Sequence, residues 1–488
     1  MSDYPYCTFQ GSGRCTAATR AKLSFLKAAC LGGLLALLTA CGGGSGGSAG
    51  GSAPDEGSPA PAVADCGETA QKQFVLAAAR EWYRWPDELA AVAPENYATA
   101  KAFLSALTAP LARDSRDRGF SYLTTVAEDE AQSATGAYAG FGFRFARAGD
   151  GRYRISDVYE NGPAFSAGFV RGAELLAVDR GEGFTTLAAY AARGVSLRDI
   201  FGPPLAGVER GFRLRIEGET REVRIARTTL NVPPIAAGAG LLERSGLTPV
   251  GYFHMRQFIK SAEPELYKLF SEFHQAGVTD FVIDLRYNSG GNLDVSNRLL
   301  DLLSGAIATD RPAYLLRHNQ RKTDQNYQYR LRRLEHSVSP NRIAFITGRA
   351  TASASELIIN SLAPYVEVVL IGADTLGKAV GQYAFDQRGC GNRLRLITFD
   401  TVNAAGQGEY FSGLVRTGRF TLCAVQDRYR GAFGDPGEAL LAGALDWLNT
   451  GSCRTAAASA GPERRAAHRK AALDVPAELP GRRSPWVQ

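Results

Sequence analysis

Phe281-Val282-Ile283-Asp284-Leu285-Arg286 runs directly into Tyr287-Asn288-Ser289-Gly290-Gly291-Asn292. Apolar residues at consecutive rather than alternate positions mark a strand covered on both faces, the habit of parallel sheets flanked by helices. The glycine loop then sits at the C-terminal end of that strand, where chemistry collects in open α/β sheets. The pattern repeats on either side. Val250 to Phe253 reads as a strand, Pro264 to Ala276 and Asp294 to Leu303 as helices, and Ile343 to Thr347 as a second apolar strand. Ser353 to Leu362 reads as a helix and Val366 to Ile371 as a further strand. Such alternation predicts an α/β core with a mixed, largely parallel sheet over residues 245–453.

Upstream, residues 126–232 read as β-rich, with short strands at Gly140 to Phe145, Tyr153 to Ser156, Leu175 to Val178, Phe212 to Ile216 and Glu222 to Ile225. Residues 66–125 read as a small helical domain, because Phe74, Ala78, Trp82 and Trp85 recur at helical spacing before Pro86. Trp82 and Trp85 read as core and receive no function. Residues 41–65 are rich in Gly, Ser, Ala and Pro and cannot bury enough apolar surface to fold, so they read as a flexible tether with a reach of about 25 to 30 Å. The Gly43-Gly44-Ser45-Gly46-Gly47 match to a nucleophile-elbow pattern lies in this tether, without the strand and helix that an elbow needs, and is discarded. Residues 454–488, rich in Ala, Arg and Pro, are expected to be disordered.

Residues 1–40 read as a signal peptide: Arg20, Lys22 and Lys27 precede an apolar run, Ala28 to Ala40, that is short for a membrane span. Leu38-Thr39-Ala40-Cys41 resembles the bacterial lipobox, which implies a lipid on Cys41 and, with Gly42 rather than Asp next to it, an outer-membrane location facing the periplasm. The chain has 488 residues and a formal charge of +6, but the first forty residues hold four bases and one acid, leaving 51 against 48. A surplus of three is no nucleic-acid footprint. Cys66, Cys390, Cys423 and Cys453 are an even set for an oxidising compartment, and no Cys-x-x-Cys spacing points to a metal. Of the three possible pairings, Cys66 with Cys453 and Cys390 with Cys423 are favoured, since the first pair brackets the folded part and the second flanks a strand-rich stretch.

Two later phrases answer the glycine loop. Gly348-Arg349-Ala350-Thr351-Ala352-Ser353-Ala354-Ser355-Glu356 opens a helix, and Gly372 to Gln382 contains Gly377-Lys378-Ala379-Val380-Gly381-Gln382. In the β-rich segment, Asn161-Gly162-Pro163-Ala164 to Gly172 resembles the phrase that begins a short helix in PDZ domains, and Gly140-Phe141-Gly142-Phe143 resembles their carboxylate-binding loop. Together the three core phrases resemble the C-terminal processing peptidases, also called tail-specific proteases, over roughly residues 136–450.

The resemblance implies a serine endopeptidase that cleaves near protein C-termini, with Ser353 as nucleophile, Lys378 as general base, and Gln382 orienting the lysine. The backbone N–H groups of Gly291 and Ala354 would be the oxyanion donors. Gly140, Phe141, Gly142 and Phe143 would hold a substrate's C-terminal carboxylate, Phe141 and Phe143 lining an apolar pocket for its last side chain. Protein or peptide substrates with free C-termini are implied, and no cofactor. Ala379 stands where the family has glycine, and Ser289 and Asn292 around the glycine pair also depart from its pattern; none of these removes a catalytic group.

The chemistry supports these roles apart from the family name. A seryl hydroxyl needs a proton acceptor, and a lysine accepts only when burial lowers its pKa. Leu376, Ala379 and Val380 surround Lys378 in sequence, with no acid nearer than Asp374. A serine at a helix start has free N–H groups and the positive dipole end beside it. Glu356 completes a capping box with Ser353, the structural alternative for that serine. A Ser-His-Asp mechanism is the runner-up, with His254 the one histidine in a core element. A catalytically silent lipoprotein that only binds protein tails is the alternative function, and the intact Ser353, Lys378 and Gln382 set weighs against it. Asp284 and Arg286 read as structural.

Overall fold

The computed structural model describes residues 7–10, 14–17, 65–135, 137–307 and 309–453. Cys41, nearly all of the tether, the C-terminal segment 454–488 and most of the expected signal peptide lie outside the described residues. Within the first forty residues, strands Cys7–Gln10 and Arg14–Ala17 form a hairpin.

The N-terminal part holds α1 (Glu68–Trp82), α2 (Ala100–Leu107), α3 (Ala109–Arg113), β1 (Tyr122–Thr125) and α4 (Val126–Thr135). The β-rich part follows with β2 (Tyr138–Gly140), β3 (Phe143–Arg147), β4 (Tyr153–Val158), α5 (Pro163–Ser166), β5 (Glu174–Asp179) and β6 (Phe184–Thr185). It continues with α6 (Leu187–Ala192), α7 (Leu197–Phe201), β7 (Glu209–Ile216), β8 (Glu219–Ala226) and β9 (Thr228–Leu230). Its main sheet has the order β8-β7-β5-β4-β3, with β6 on β5, while β2 pairs with β9. Gly142 divides what the sequence presented as one strand: its φ is +83°, and a Cβ there would lie 2.7 Å from the Gly162 Cα. Only glycine fits that turn.

The last part begins with β10 (Gly240–Arg244), β11 (Leu247–His254), α8 (Ala262–Gln275), β12 (Asp280–Asp284) and α9 (Leu293–Leu302). Next come β13 (Pro312–Arg317), β14 (Tyr327–Arg330), β15 (Arg342–Thr347), α10 (Ala354–Leu362) and β16 (Glu367–Gly372). It closes with β17 (Val380–Asp386), β18 (Asn392–Asn403), β19 (Thr421–Ala424) and α11 (Ala439–Thr450). The expected sheet is present in the order β10-β11-β12-β15-β16-β19, parallel throughout except for the edge strand β10. All five residues of β12 are buried, as consecutive apolar residues require. Phe270, Phe281, Leu299, Phe345 and Ile358 pack on one face of this sheet, and Val282, Ile346, Leu441 and Trp447 on the other.

A second, antiparallel sheet, β14-β13-β18-β17, carries the lysine loop on its β17 end, and β1 pairs with β18. The helical N-terminal part has no separate core: Val75, Trp82, Phe103 and Leu111 pack with Leu394, Leu396 and Ile397 of β18. Trp82 is buried there, consistent with its reading as core.

The disulfides correct the sequence expectation, joining Cys66 to Cys390 and Cys423 to Cys453, with Cα atoms 5.4 and 5.1 Å apart. The reason is the shared core: α1 packs beside β17 and β18, whose connecting turn carries Cys390, so Cys66 at the start of α1 meets it. Among the described residues, no helix is long and apolar enough to cross a membrane, and no cluster of His, Cys, Asp and Glu could hold a metal.

Candidate active site

Three loops meet at the C-terminal ends of β12, β15 and β16. Asn288 stitches the first two: its side chain accepts from the Gly290 N–H (2.8 Å) and donates to the Met255 carbonyl (2.9 Å). Its carbonyl accepts from the Ala352 N–H (3.1 Å) and the Ser355 hydroxyl (3.0 Å). Thr351 ties the second loop to the third by accepting from the Leu376 N–H at 2.9 Å, and to the β12 end by donating to Leu285 O at 2.7 Å.

Ser353 is the residue before α10, and its φ of +57° with ψ −117° is not the extended geometry of an ordinary N-cap. A non-glycine residue in this region costs on the order of 1 to 3 kcal/mol and persists only where the surroundings impose it. Gly290 is the neighbour that permits it: a Cβ on Gly290 would lie 2.8 Å from Ser353 Cβ and 2.9 Å from Ala354 N. Gly291, exposed and with φ +145°, has no hydrogen-bond partner for its N–H among the described residues. Ala354 begins α10, so its N–H belongs to the free first turn. These are the two groups expected to serve as oxyanion donors.

Lys378 donates through Nζ to Gln382 Oε1 at 3.0 Å. Burial of the amine pulls its pKa down to about 8; the carboxylates of Asp117 and Glu356 oppose that fall, and Arg395 adds to it. Of Ser353, Lys378 and Gln382, the three residues named from the sequence, the structure brings the lysine and glutamine together and joins the Ser353 and Lys378 backbones through one carboxylate. That carboxylate is Glu356, fully buried, which accepts the Ser353 N–H (3.0 Å), the Lys378 N–H (2.8 Å) and the Gly377 N–H (2.7 Å). Burial raises its pKa to about 7 despite those donors and the Thr375 hydroxyl. A capping box foretold only the first of these bonds. Nothing local in the sequence signalled the other two, nor Phe120, whose carbonyl accepts the Gln382 amide.

His254 is buried, stacked on Phe433 at 4.1 Å and 3.2 Å from Asp284 Oδ1. Asp284 in turn receives Arg286 Nε at 3.0 Å, and Arg286 also pairs with Glu438 at 2.9 Å. His254 thus packs into a structural ion network beneath the glycine loop, as Asp284 and Arg286 were expected to do.

In the β-rich part, the Phe141 carbonyl accepts from Ala164 N–H (2.9 Å) and the Gly142 carbonyl from Tyr159 N–H (2.8 Å). Phe141 and Phe143 do not line a pocket. Both are 0 % exposed and form the centre of that part's core, with Phe212 centroids at 5.2 and 5.4 Å. Alternating glycine and phenylalanine here turns the rings inward, where six phenylalanines and Ile155 collect.

The site therefore sets a serine at a helix start, an amine of depressed pKa and adjacent free N–H groups at the C-terminal edge of an α/β sheet. Residues 249–414 match the model of Peptidase family S41 and residues 70–122 match that of the Peptidase S41 N-terminal domain. The chain is 26% identical over 182 residues to a carboxyl-terminal-processing protease of Picosynechococcus sp., covering 37% of this chain and 41% of that protein. It is 23% identical over 310 residues to a carboxyl-terminal-processing protease of Synechocystis sp., covering 63% of this chain and 67% of that one. The match thus spans less than half of the first relative and about two thirds of the second. The fold is similar to that of an S41 protease from Bacteroides fragilis, with a TM-score of 0.62 at 24% identity, covering 78% of this chain and 97% of that one.

Proposed function

We propose that this protein is a serine endopeptidase of the cell envelope that recognises and cleaves near the C-terminal tails of other proteins. The observation that carries the reading is the lysine: partly buried, hydrogen-bonded to Gln382, with its pKa held near 8, Lys378 has a sizeable neutral fraction at neutral pH. The neutral amine accepts the Ser353 proton as Oγ attacks the peptide carbonyl, then returns it to the leaving amine. Gln382 occupies one N–H of the amine and so leaves the lone pair to the serine. The carbonyl oxygen, becoming negative, is met by the N–H groups of Gly291 and Ala354.

The β-rich segment 126–232 is assigned a PDZ-like role. Among the described residues strand β3 is paired on one side only, by β4, and its other edge can add a peptide strand. The backbone of Gly140 to Phe143 would meet the terminal carboxylate. Cys41 would carry the lipid that holds the enzyme at the outer membrane.

The test is incubation of the purified protein with a loosely folded protein, the cuts being mapped by mass spectrometry. Cleavage is expected for the wild type and is expected to vanish for Ser353→Ala and Lys378→Arg, because a guanidinium does not deprotonate in this range. Binding of tails without cleavage by the wild type would favour the silent, tail-binding lipoprotein instead. A peptide with an amidated C-terminus should bind more weakly by about 1 to 3 kcal/mol. Undiminished membrane association of Cys41→Ala would remove the lipid anchor from the proposal.

A further inference from the structure

The groups around the lysine amine do not all come from the loops that follow the central strands. Between α3 and β1, Asp117 to Ser121 form a turn pinned at both ends. Asp117, 0 % exposed, accepts the Tyr83 hydroxyl at 2.9 Å and the Ser121 N–H at 3.0 Å. The Ser121 Oγ accepts the Ile397 N–H of β18 at 3.1 Å. Between these anchors, Arg118 donates to the carbonyl of Leu376 at 2.7 Å, two residues before the lysine. Phe120 is buried, with its ring centroid 5.2 Å from Lys378 Nζ and its carbonyl accepting from Gln382 Nε2.

A primary amide has one acceptor end and one donor end. A backbone carbonyl can only accept, so the Gln382 atom that meets Phe120 O is the nitrogen. The oxygen is thereby turned to Lys378. Without that carbonyl the amide could rotate, present its NH2 to the amine and leave the lysine unaimed. We infer that the Asp117–Phe120 turn of the N-terminal domain is a positioning element of the catalytic base: the Phe120 carbonyl fixes the Gln382 amide, the Phe120 ring covers the amine, and Asp117 pins the turn while adding a buried carboxylate to the charges around it. The inference rests on the Ser353–Lys378 reading of the site and gives the N-terminal domain a share in catalysis.

The charges facing the amine are Asp117 from this turn, Glu356 from α10 and Arg395 from β18. The two parts of the turn act in opposite directions. The ring keeps water from the amine, and this desolvation outweighs the ring's own attraction for a cation, so it favours the neutral form, whereas the Asp117 carboxylate favours the ammonium. A turn with a purely structural role would not produce shifts of opposite sign.

The test is a direct titration of Lys378 by NMR in protein labelled with 13Cε-lysine, in a Ser353→Ala background that prevents self-cleavage. Asp117→Asn is expected to move the midpoint down by roughly half a unit or more, and Phe120→Ala to move it up toward the free-lysine value. Phe120→Leu, which keeps apolar cover, is expected to move it up by less and carries the test if Phe120→Ala does not fold. In the Ser353 enzyme, the pH midpoint of kcat/KM should follow the same shifts. The inference is overturned if the folded variants leave the Lys378 midpoint within about 0.2 units of the parent, or if Asp117→Asn and the Phe120 variants move it the same way. Absent peptidase activity in the wild type would sink the proposed function but leave this titration readable, so the two failures are distinguishable.

Discussion

Glu356 Oε2 accepts the backbone N–H of Lys378 at 2.8 Å while the same oxygen accepts the N–H of Ser353 at 3.0 Å. One buried carboxylate thus sets the spacing between the Ser353 loop and the Lys378 loop. Its ionised form is the one that accepts three N–H groups, and its pKa lies at about 7, raised by burial. In the base role proposed for it the lysine has to be neutral, and its pKa lies at about 8, lowered by burial. Both groups become competent by losing a proton, so kcat/KM should rise with pH. Its logarithm should have a slope near one between about pH 7 and 8 and a slope approaching two below about pH 7. A profile that falls with pH across this window would contradict both assignments. Glu356→Gln, whose NH2 faces backbone N–H groups, should lower kcat about tenfold to a hundredfold.

Gly290→Ala should damage the site without touching a catalytic group. The new Cβ would stand 2.8 Å from Ser353 Cβ at a φ of +101°. Backbone strain of about 1 to 3 kcal/mol adds to that overlap, and Ser353 must move. The expected result is a lower Tm together with a loss of activity on the order of a hundredfold or more, since misplacement by an ångström has that scale. Thermal melting and kinetics on the same preparation check it.

The central sheet was legible because its signal is local. Consecutive apolar residues in β12, β15 and β16 place those strands within about two residues of where they lie, and the Ser and Lys phrases follow at their ends. The second sheet was not legible. β17 and β18 mix polar and apolar residues, as in Asn392-Arg393-Leu394-Arg395-Leu396, because one face meets the N-terminal helices and the other meets α10 and solvent. The bond from Gln382 to Phe120 spans 262 positions and has no local mark. Glu356 had one, the capping box, but its bonds to Gly377 and Lys378 go to backbone atoms of any residue type. Phe141 and Phe143 were misread for the converse reason: a glycine-phenylalanine alternation looks the same whether its rings line a groove or fill a core.

Arg256 ties the β-rich part to the α/β part. It donates from Nε and Nη2 to the two Asp157 oxygens, both at 2.9 Å, and from Nη1 to Glu160 at 2.8 Å, with Arg256 and Asp157 each 1 % exposed. Removing one partner of a buried pair strands the other charge. Arg256→Ala should therefore cost about 3 to 5 kcal/mol in urea unfolding. Replacing both, as Arg256→Met with Asp157→Leu, should recover only part of it, because Asp157 is no longer stranded but half-buried Glu160 has lost its cation and keeps the Ala237 N–H.

The disulfide pairing is checked by mapping peptides under non-reducing conditions. Fragments containing Cys66 should be linked to fragments containing Cys390, and Cys423 to Cys453. The second bridge closes a loop of 30 positions, and its removal by Cys453→Ser with Cys423→Ser should cost about 3 to 4 kcal/mol on the chain-entropy account.

An amine whose pKa is lowered by burial implies a cost in stability. An amine whose pKa falls from 10.5 to about 8 on folding holds its proton less tightly in the folded chain than in the unfolded one. The folded state is therefore penalised wherever the unfolded lysine is charged. The penalty is complete below about pH 8, shrinks as pH rises from there, and is gone above the unfolded value. Lys378→Met fills similar volume without the charge, so at pH 7 it should abolish activity and raise stability by about 2 to 3 kcal/mol, discounted for the partial exposure of the side chain. Equilibrium unfolding of the variant and the wild type at pH 7 and at pH 10.5 checks the sign. The gap should be wide at the lower pH and nearly closed at the higher one, whereas a gap independent of pH would mean that apolar packing, and not the buried ammonium, is what the substitution changes.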